Sequence, residues 1–214
     1  MEPLQQIYRR ARYGRPVVVV SGLPRSGTSM AMKMLEAGGL ELVTDHQRTA
    51  DVDNPKGYFE DERVKDLAEA EDASWVTEAR GRAIKVVSSL LPHLPRELNY
   101  RLLFMRRHLE EVVASQNKML ERRGETSETP DDRMMELYAG HLRRVDAMLR
   151  HAPHFRWIDL HYSSVLERPS EAAERVRNFL GMDLDVERMA GAVDEGLYRN
   201  RAEAAASAAA GGGA

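Results

Sequence analysis

Four consecutive valines, Val17–Val20, run straight into a polar, Gly-bearing turn, Ser21–Gly27. Beyond Thr28 the apolar spacing becomes helical, with Met30, Met34 and Leu35 on one side. A β-branched run without polar alternation predicts a short strand covered on both faces. Strand, glycine loop and helix in that order gather backbone N–H groups and a helix N-terminus around one point, a layout suited to an anion.

Gly22 and Gly27 have the spacing of the P-loop pattern G-x-x-x-x-G-K-[ST], and Ser29 fills its last position. Thr28 stands where the lysine should be, and the basic residue, Arg25, lies inside the loop. The stretch therefore reads as a phosphate cradle without the lysine that ATP and GTP enzymes place on the β- and γ-phosphates. A plain strand-to-helix junction would explain the two glycines alone. It would not explain Arg, Ser, Thr and Ser packed between and behind them.

The remainder of the chain bounds the chemistry. Its 214 residues suffice for one α/β domain with a sizeable core. Thirty-one Lys and Arg against 34 Asp and Glu leave a formal charge of −3, so no net basic field invites nucleic acid. Without cysteine, disulfides, thiol catalysis and Cys-ligated metals are excluded. No apolar run approaches a membrane span, and the start of the sequence lacks a signal-type apolar core. A cytoplasmic protein with no membrane span is the expectation.

Residues 1–16 read as a basic, solvated leader, 17–201 as one α/β domain, and 202–214 as a low-complexity Ala/Gly tail. The polar segment 44–62 is long for a connection inside a compact domain, and such loops tend to be functional. It carries Asp45, His46, Lys56, Glu60 and Asp61. Residues 62–76 read as a helix with Val64, Leu67, Ala68 and Trp75 inward, and 83–87 as a short strand with Lys85 in its middle. Residues 91–95 read as a loop. Lysine is rarely buried unpaired, so Lys85 either snorkels at an edge or points into a site. Residues 101–105 form the next predicted strand, ending in Arg106-Arg107-His108 before a helix that carries Ser115. Helical spacing over 131–151 places Met134, Leu137, Tyr138, Leu142, Val145 and Leu149 on one broad face. A strand at 155–160 leads to His161-Tyr162. Two amphipathic helices follow, the first stopped by Gly181. Alternating strands and helices predict a single three-layer domain, a central parallel sheet with helices on both faces.

At this point the residues resemble a known family. Pro24-Arg25-Ser26-Gly27-Thr28-Ser29 is similar to the 5′-phosphosulfate loop, P-[KR]-S-G-T-[TS], of sulfotransferases that use PAPS, 3′-phosphoadenosine 5′-phosphosulfate. The family also has an arginine ending a strand and a serine eight positions on, as Arg107 and Ser115 stand here. A tyrosine closing a later strand, ahead of a helix ending in F-[LV]-G, is matched by Tyr162 and Phe179-Leu180-Gly181. Asn54 to Glu60, NPKGYFE, resembles a segment common among bacterial members. The likeness runs in order from Val17 to Gly181.

The resemblance implies roles. Arg25, Ser26, Gly27, Thr28 and Ser29 would hold the 5′-phosphate and the transferring sulfonate. Arg107 and Ser115 would hold the 3′-phosphate, and Tyr162 would lie near the adenosine end. Lys85 falls on the strand where the family places a basic residue near the sulfonate. The implied reaction is in-line transfer of the sulfonate from PAPS to a hydroxyl or amine of a small-molecule acceptor, releasing 3′,5′-ADP and needing no metal. Arg25 and Lys85 would meet the growing charge, and His46, Asp45 and Glu60 are the candidates for the base. The cytosolic animal members close over the nucleotide with an R-K-G loop that this sequence lacks; Arg199 and Arg201 are the candidates to take its place. Met30 stands where an aromatic often follows the phosphosulfate loop. Two other readings stay open, a P-loop kinase of a small metabolite or nucleotide and a catalytically inactive nucleotide-binding module. The acceptor and the oligomeric state, a homodimer included, are not readable.

Overall fold

The computed structural model describes residues 3–45, 59–70 and 72–193. Four strands, β1 (Val17–Gly22), β2 (Ala83–Lys85), β3 (Tyr100–Arg106) and β4 (Phe155–His161), form one sheet in the order β2-β1-β3-β4, parallel throughout. Around it lie α1 (Pro3–Tyr13), α2 (Thr28–Ala37), α3 (Leu109–Arg122), α4 (Asp131–His151), α5 (Tyr162–Glu167), α6 (Pro169–Leu180) and α7 (Val186–Gly191). This is the α/β sheet with helices on both faces that the alternating pattern predicts.

The valine run explains the central strand. Val17 to Val20 are all fully buried, and the pleat sends them alternately to two cores. Val18 and Val20 join Leu103, Met105 and Leu160 under α2, α6 and α7. Val17 and Val19 join Ile84, Leu102 and Phe104 with Val145 and Leu149 of α4. Burying one such side chain contributes about 1.5–3 kcal/mol, so a strand apolar on both faces holds the two layers together. Helix α2 ends at Gly38, where a β-carbon would stand 2.5 Å from Met189 Cγ of α7.

Several local expectations are corrected. Residues 62–76 do not form one α-helix; Glu62–Ala68 and Ser74–Ala79 are two 3₁₀ segments. Val64, Leu67, Val76 and Ala79 are buried, but Ala68 is exposed, and Trp75 is only partly covered beneath the Arg63 guanidinium. A spacing of three serves both helix types, and the sequence pattern does not separate them. Of residues 91–95, expected to be loop, the first three close another 3₁₀ segment, Ser88–His93. The second strand stops at Lys85, which is its last residue rather than its middle. The broad apolar face of α4 is buried only at Val145 and Leu149, and Leu137 is 48% exposed. The basic leader folds as α1, tied down by Arg9, which donates to Asn99 Oδ1 at 3.0 Å and to the carbonyls of Arg96 and Leu98 at 2.9 Å each. No described helix is long and apolar enough to cross a membrane.

Candidate functional site

From β1 the chain first moves to β2 on one side and then returns to β3 on the other. That reversal opens a crevice at the carboxyl ends of β1 and β3, where open parallel sheets receive ligands. The loop after β1 and the arginines after β3 meet there.

The loop is shaped from within. Ser26 is 1% exposed; its hydroxyl donates to the Leu23 carbonyl at 2.7 Å and its backbone N–H to the same oxygen at 3.2 Å. Its hydroxyl is thereby used in folding the turn. A β-carbon on Gly22 would stand 2.5 Å from Ser26 Oγ and 2.8 Å from the Met105 carbonyl oxygen. Gly27 has a left-handed φ of 99°, and a β-carbon there would meet the Tyr162 ring at 2.6 Å. Arg25 is also left-handed, φ 66°, which costs a non-glycine residue about 1–2 kcal/mol. Helix α2 begins at Thr28 with no acidic residue in its first turn and no side-chain cap, so its leading N–H groups face the crevice with the positive end of the helix dipole.

The arginine held in that unusual conformation is bound at both ends. Its Nε donates to Ser115 Oγ at 3.1 Å, and its carbonyl accepts from Arg107 Nη1 at 3.0 Å. Arg107 also donates from Nε to Glu111 Oε2 at 2.9 Å, and its guanidinium lies 4.3 Å from the centroid of the Tyr162 ring. Tyr162, the first residue of α5, is buried against Gly27. Residues 25, 107, 115 and 162, far apart in sequence, thus form one connected group. Glu111 was not singled out in the sequence; its place one helical turn beyond Arg107 was the available signal.

Arg106, one residue earlier, points elsewhere. It donates to Asp159 Oδ1 at 2.9 Å and to Asp146 of α4. Alternation along the strand separates the two arginines, one into the packing against α4 and the other into the crevice.

A second group lies at the other side of the α2 N-terminus. Lys85 leaves the end of β2 with 9% of its side chain exposed and donates to Ser29 Oγ at 3.3 Å and Glu60 Oε1 at 3.0 Å. The two ends of the long polar segment are joined here. The Asp45 N–H and the Thr44 hydroxyl both donate to the Glu60 carbonyl, at 3.2 and 3.0 Å, and Asp45 Oδ2 accepts the Glu62 N–H at 2.7 Å. Asp61 caps the following 3₁₀ segment and takes two hydrogen bonds from the Arg63 guanidinium. Of the predicted residues, His46, Lys56, Arg199 and Arg201 lie outside the described residues, as does the rest of the NPKGY stretch. Among the described residues no group of three or more His, Asp or Glu side chains is placed to hold a metal ion.

No protein-family model matches the sequence, and no curated protein matches it. Solved structures do. A mouse sulfotransferase, SULT7A1, complexed with PAP, superposes with a TM-score of 0.50 at 13% identity, over 89% of this chain and 68% of that one. The sulfotransferase domain from the curacin biosynthetic pathway gives 0.49 at 15% identity, over 81% and 76%. An unliganded sugar kinase from Janibacter sp. HTCC2649 gives 0.43 at 16%, over 78% and 95%. At 13% identity the SULT7A1 superposition shows a shared fold, and this chain has a sulfotransferase-like α/β fold.

Proposed function

We propose that the chain is a sulfotransferase that moves the sulfonate of PAPS onto a hydroxyl or amine of a small-molecule acceptor and releases 3′,5′-ADP. The observation that carries this reading is the linkage of Arg25 to both Ser115 and Arg107. A P-loop kinase holds the β- and γ-phosphates with a loop lysine, and Thr28 stands in that place here. A donor with separate 5′- and 3′-phosphates has a use for a second cationic group beside the cradle. Arg107 and Ser115 offer donors for the 3′-phosphate, while the N–H groups of Gly27, Thr28 and Ser29 and the Arg25 guanidinium face the 5′-phosphosulfate. Tyr162 acts here through Arg107, which it holds against the loop.

The acceptor oxygen or nitrogen attacks sulfur, and the bond from sulfur to the bridging phosphate oxygen breaks as 3′,5′-ADP departs. Negative charge grows on that bridging oxygen. Lys85, fixed at the first turn of α2, and Arg25 supply cationic donors for it, and each such donor is worth about 3 kcal/mol of barrier. The attacking hydroxyl loses a proton. Glu60 is the carboxylate beside Lys85, whereas Asp45 is engaged with the Glu62 N–H. We therefore assign proton acceptance to Glu60 and loop ordering to Asp45.

Thermal denaturation with 3′,5′-ADP, with ATP–Mg and without ligand tests the donor assignment. A rise with 3′,5′-ADP alone is expected; a rise with ATP–Mg alone overturns it. Turnover of labelled PAPS with an acceptor panel then separates an enzyme from an inactive binding module.

A further inference from the structure

The opposite end of the sheet carries a cavity of about 380 Å³, between α1, the starts of β3 and β4, and the end of α6. Arg9, Arg10, Arg15, Arg101 and Arg156 line it, and no Asp or Glu is among the described residues that do. Arg9 is engaged in docking α1.

Arg101 and Arg156 are direct partners in the parallel register of β3 and β4, so both side chains leave the same face of the sheet. Like charges in that relation repel. Arg101 Nη1 is buried and finds no hydrogen-bond acceptor among the described residues. Its guanidinium has the Phe179 ring at 5.6 Å instead. Burial, with the nearby charges of Arg156 and Arg10, holds the Arg101 pKa below its ordinary value. Arg10, Arg15 and Arg101 thus line a cavity with no carboxylate among the described residues that line it, a field suited to an anion.

We propose that this cavity is a second anion-binding site, taking a small organic phosphate or sulfate with Arg101 as its inner donor and Arg10 and Arg15 at its rim. Arginine's planar fork matches two oxygens of a tetrahedral oxyanion. The volume lies in the range of about 300–1,000 Å³ usual for small-molecule pockets and far exceeds one bare ion. Leu180 and Met182 supply an apolar wall for the carbon part of the ligand. The site shares no residue with the carboxyl-end crevice and stands whatever reaction occurs there.

The test uses the full chain and inorganic pyrophosphate, followed by the NMR signals of the His154 ring, which lines the cavity. A saturable shift is expected. Arg10→Gln, on an exposed helix position, is expected to weaken it at least tenfold, Arg101→Gln to abolish it, and Arg107→Gln to leave it unchanged. Phenyl phosphate and phenyl sulfate, titrated alongside, distinguish the two oxyanions and are expected to bind more tightly than pyrophosphate. The proposal is overturned if His154 does not respond at millimolar pyrophosphate, if Arg10→Gln leaves the response intact, or if Arg107→Gln removes it. Because Arg10 is exposed, its variant decides the matter even if Arg101→Gln does not fold.

Discussion

The two ends of one sheet hold arginine in opposite ways. At the carboxyl end Arg107 is fixed by the Arg25 carbonyl, the Glu111 carboxylate and the Tyr162 ring before any ligand arrives. At the amino end Arg101 is placed by strand register beside Arg156, with a buried donor atom that has no acceptor among the described residues. The first arrangement is preorganisation: the orientation is set in the folded protein, and a ligand need not supply it. The second sets a charge by strand register and an aromatic contact, without a described carboxylate against it. The difference teaches that counting arginines says little, whereas asking which of their N–H groups the protein has already answered separates a prepared site from an incomplete one.

The largest effects are expected at the carboxyl end. Arg25→Ala and Lys85→Met should each lower PAPS turnover about 10²–10³-fold, because each removes a donor aimed at developing charge. Steady-state kinetics with labelled PAPS measures this, and a change under tenfold for both would remove the proposed asymmetry between the ends. Arg107→Met should weaken 3′,5′-ADP binding by about 10–100-fold, the loss of about 1.5–3 kcal/mol of charged hydrogen bonding, read by calorimetry.

A smaller, pH-dependent effect belongs to the amino end. His154 stacks near Phe155 and Tyr100, and burial, with Arg9 and Arg96 nearby and only Glu97 opposing, lowers its pKa from 6.5 to about 4. A lowered folded-state value means the unfolded chain takes up the proton first. The His154 contribution is therefore complete above pH 6.5 and lost as pH falls toward 4, on the order of 3 kcal/mol. Urea denaturation across that window should show a shallower decline for His154→Phe. The smallest effect is expected for Arg106→Met. Its carboxylate partners Asp159 and Asp146 are 39% and 34% exposed, so stability should fall by about 1 kcal/mol while 3′,5′-ADP affinity stays within about twofold. Equal affinity losses in the Arg106 and Arg107 variants would erase the distinction between the adjacent residues.

Much of the carboxyl-end site was legible because its signal is linear. The valine run, the glycine spacing, Arg25, and the Arg107–Ser115 interval each lie within one stretch, and the fold then joins the stretches. Lys85 was legible as an anomaly, a lysine in an apolar strand, though not as the residue ending it. The divergence of Arg106 from Arg107 depends on pleat phase, which the strand's end fixes and the sequence does not. The arginine cavity was not legible at all. Its residues come from α1, the turn before β1, β3 and β4, and only the register between two strands sets Arg101 against Arg156. The 3₁₀ segments escaped because their buried residues recur at intervals that an α-helix also allows.

The contact between Gly27 and the Tyr162 ring has an evolutionary consequence. A side chain at position 27 is barred by two independent obstacles, the backbone's left-handed turn and the aromatic ring in the space a β-carbon would fill. Shrinking Tyr162 lifts the second obstacle but withdraws the ring that Arg107 rests on. Neither order of substitution offers a viable first step. The turn would still bar a side chain at position 27 with the ring gone, so glycine there is required on two separate counts.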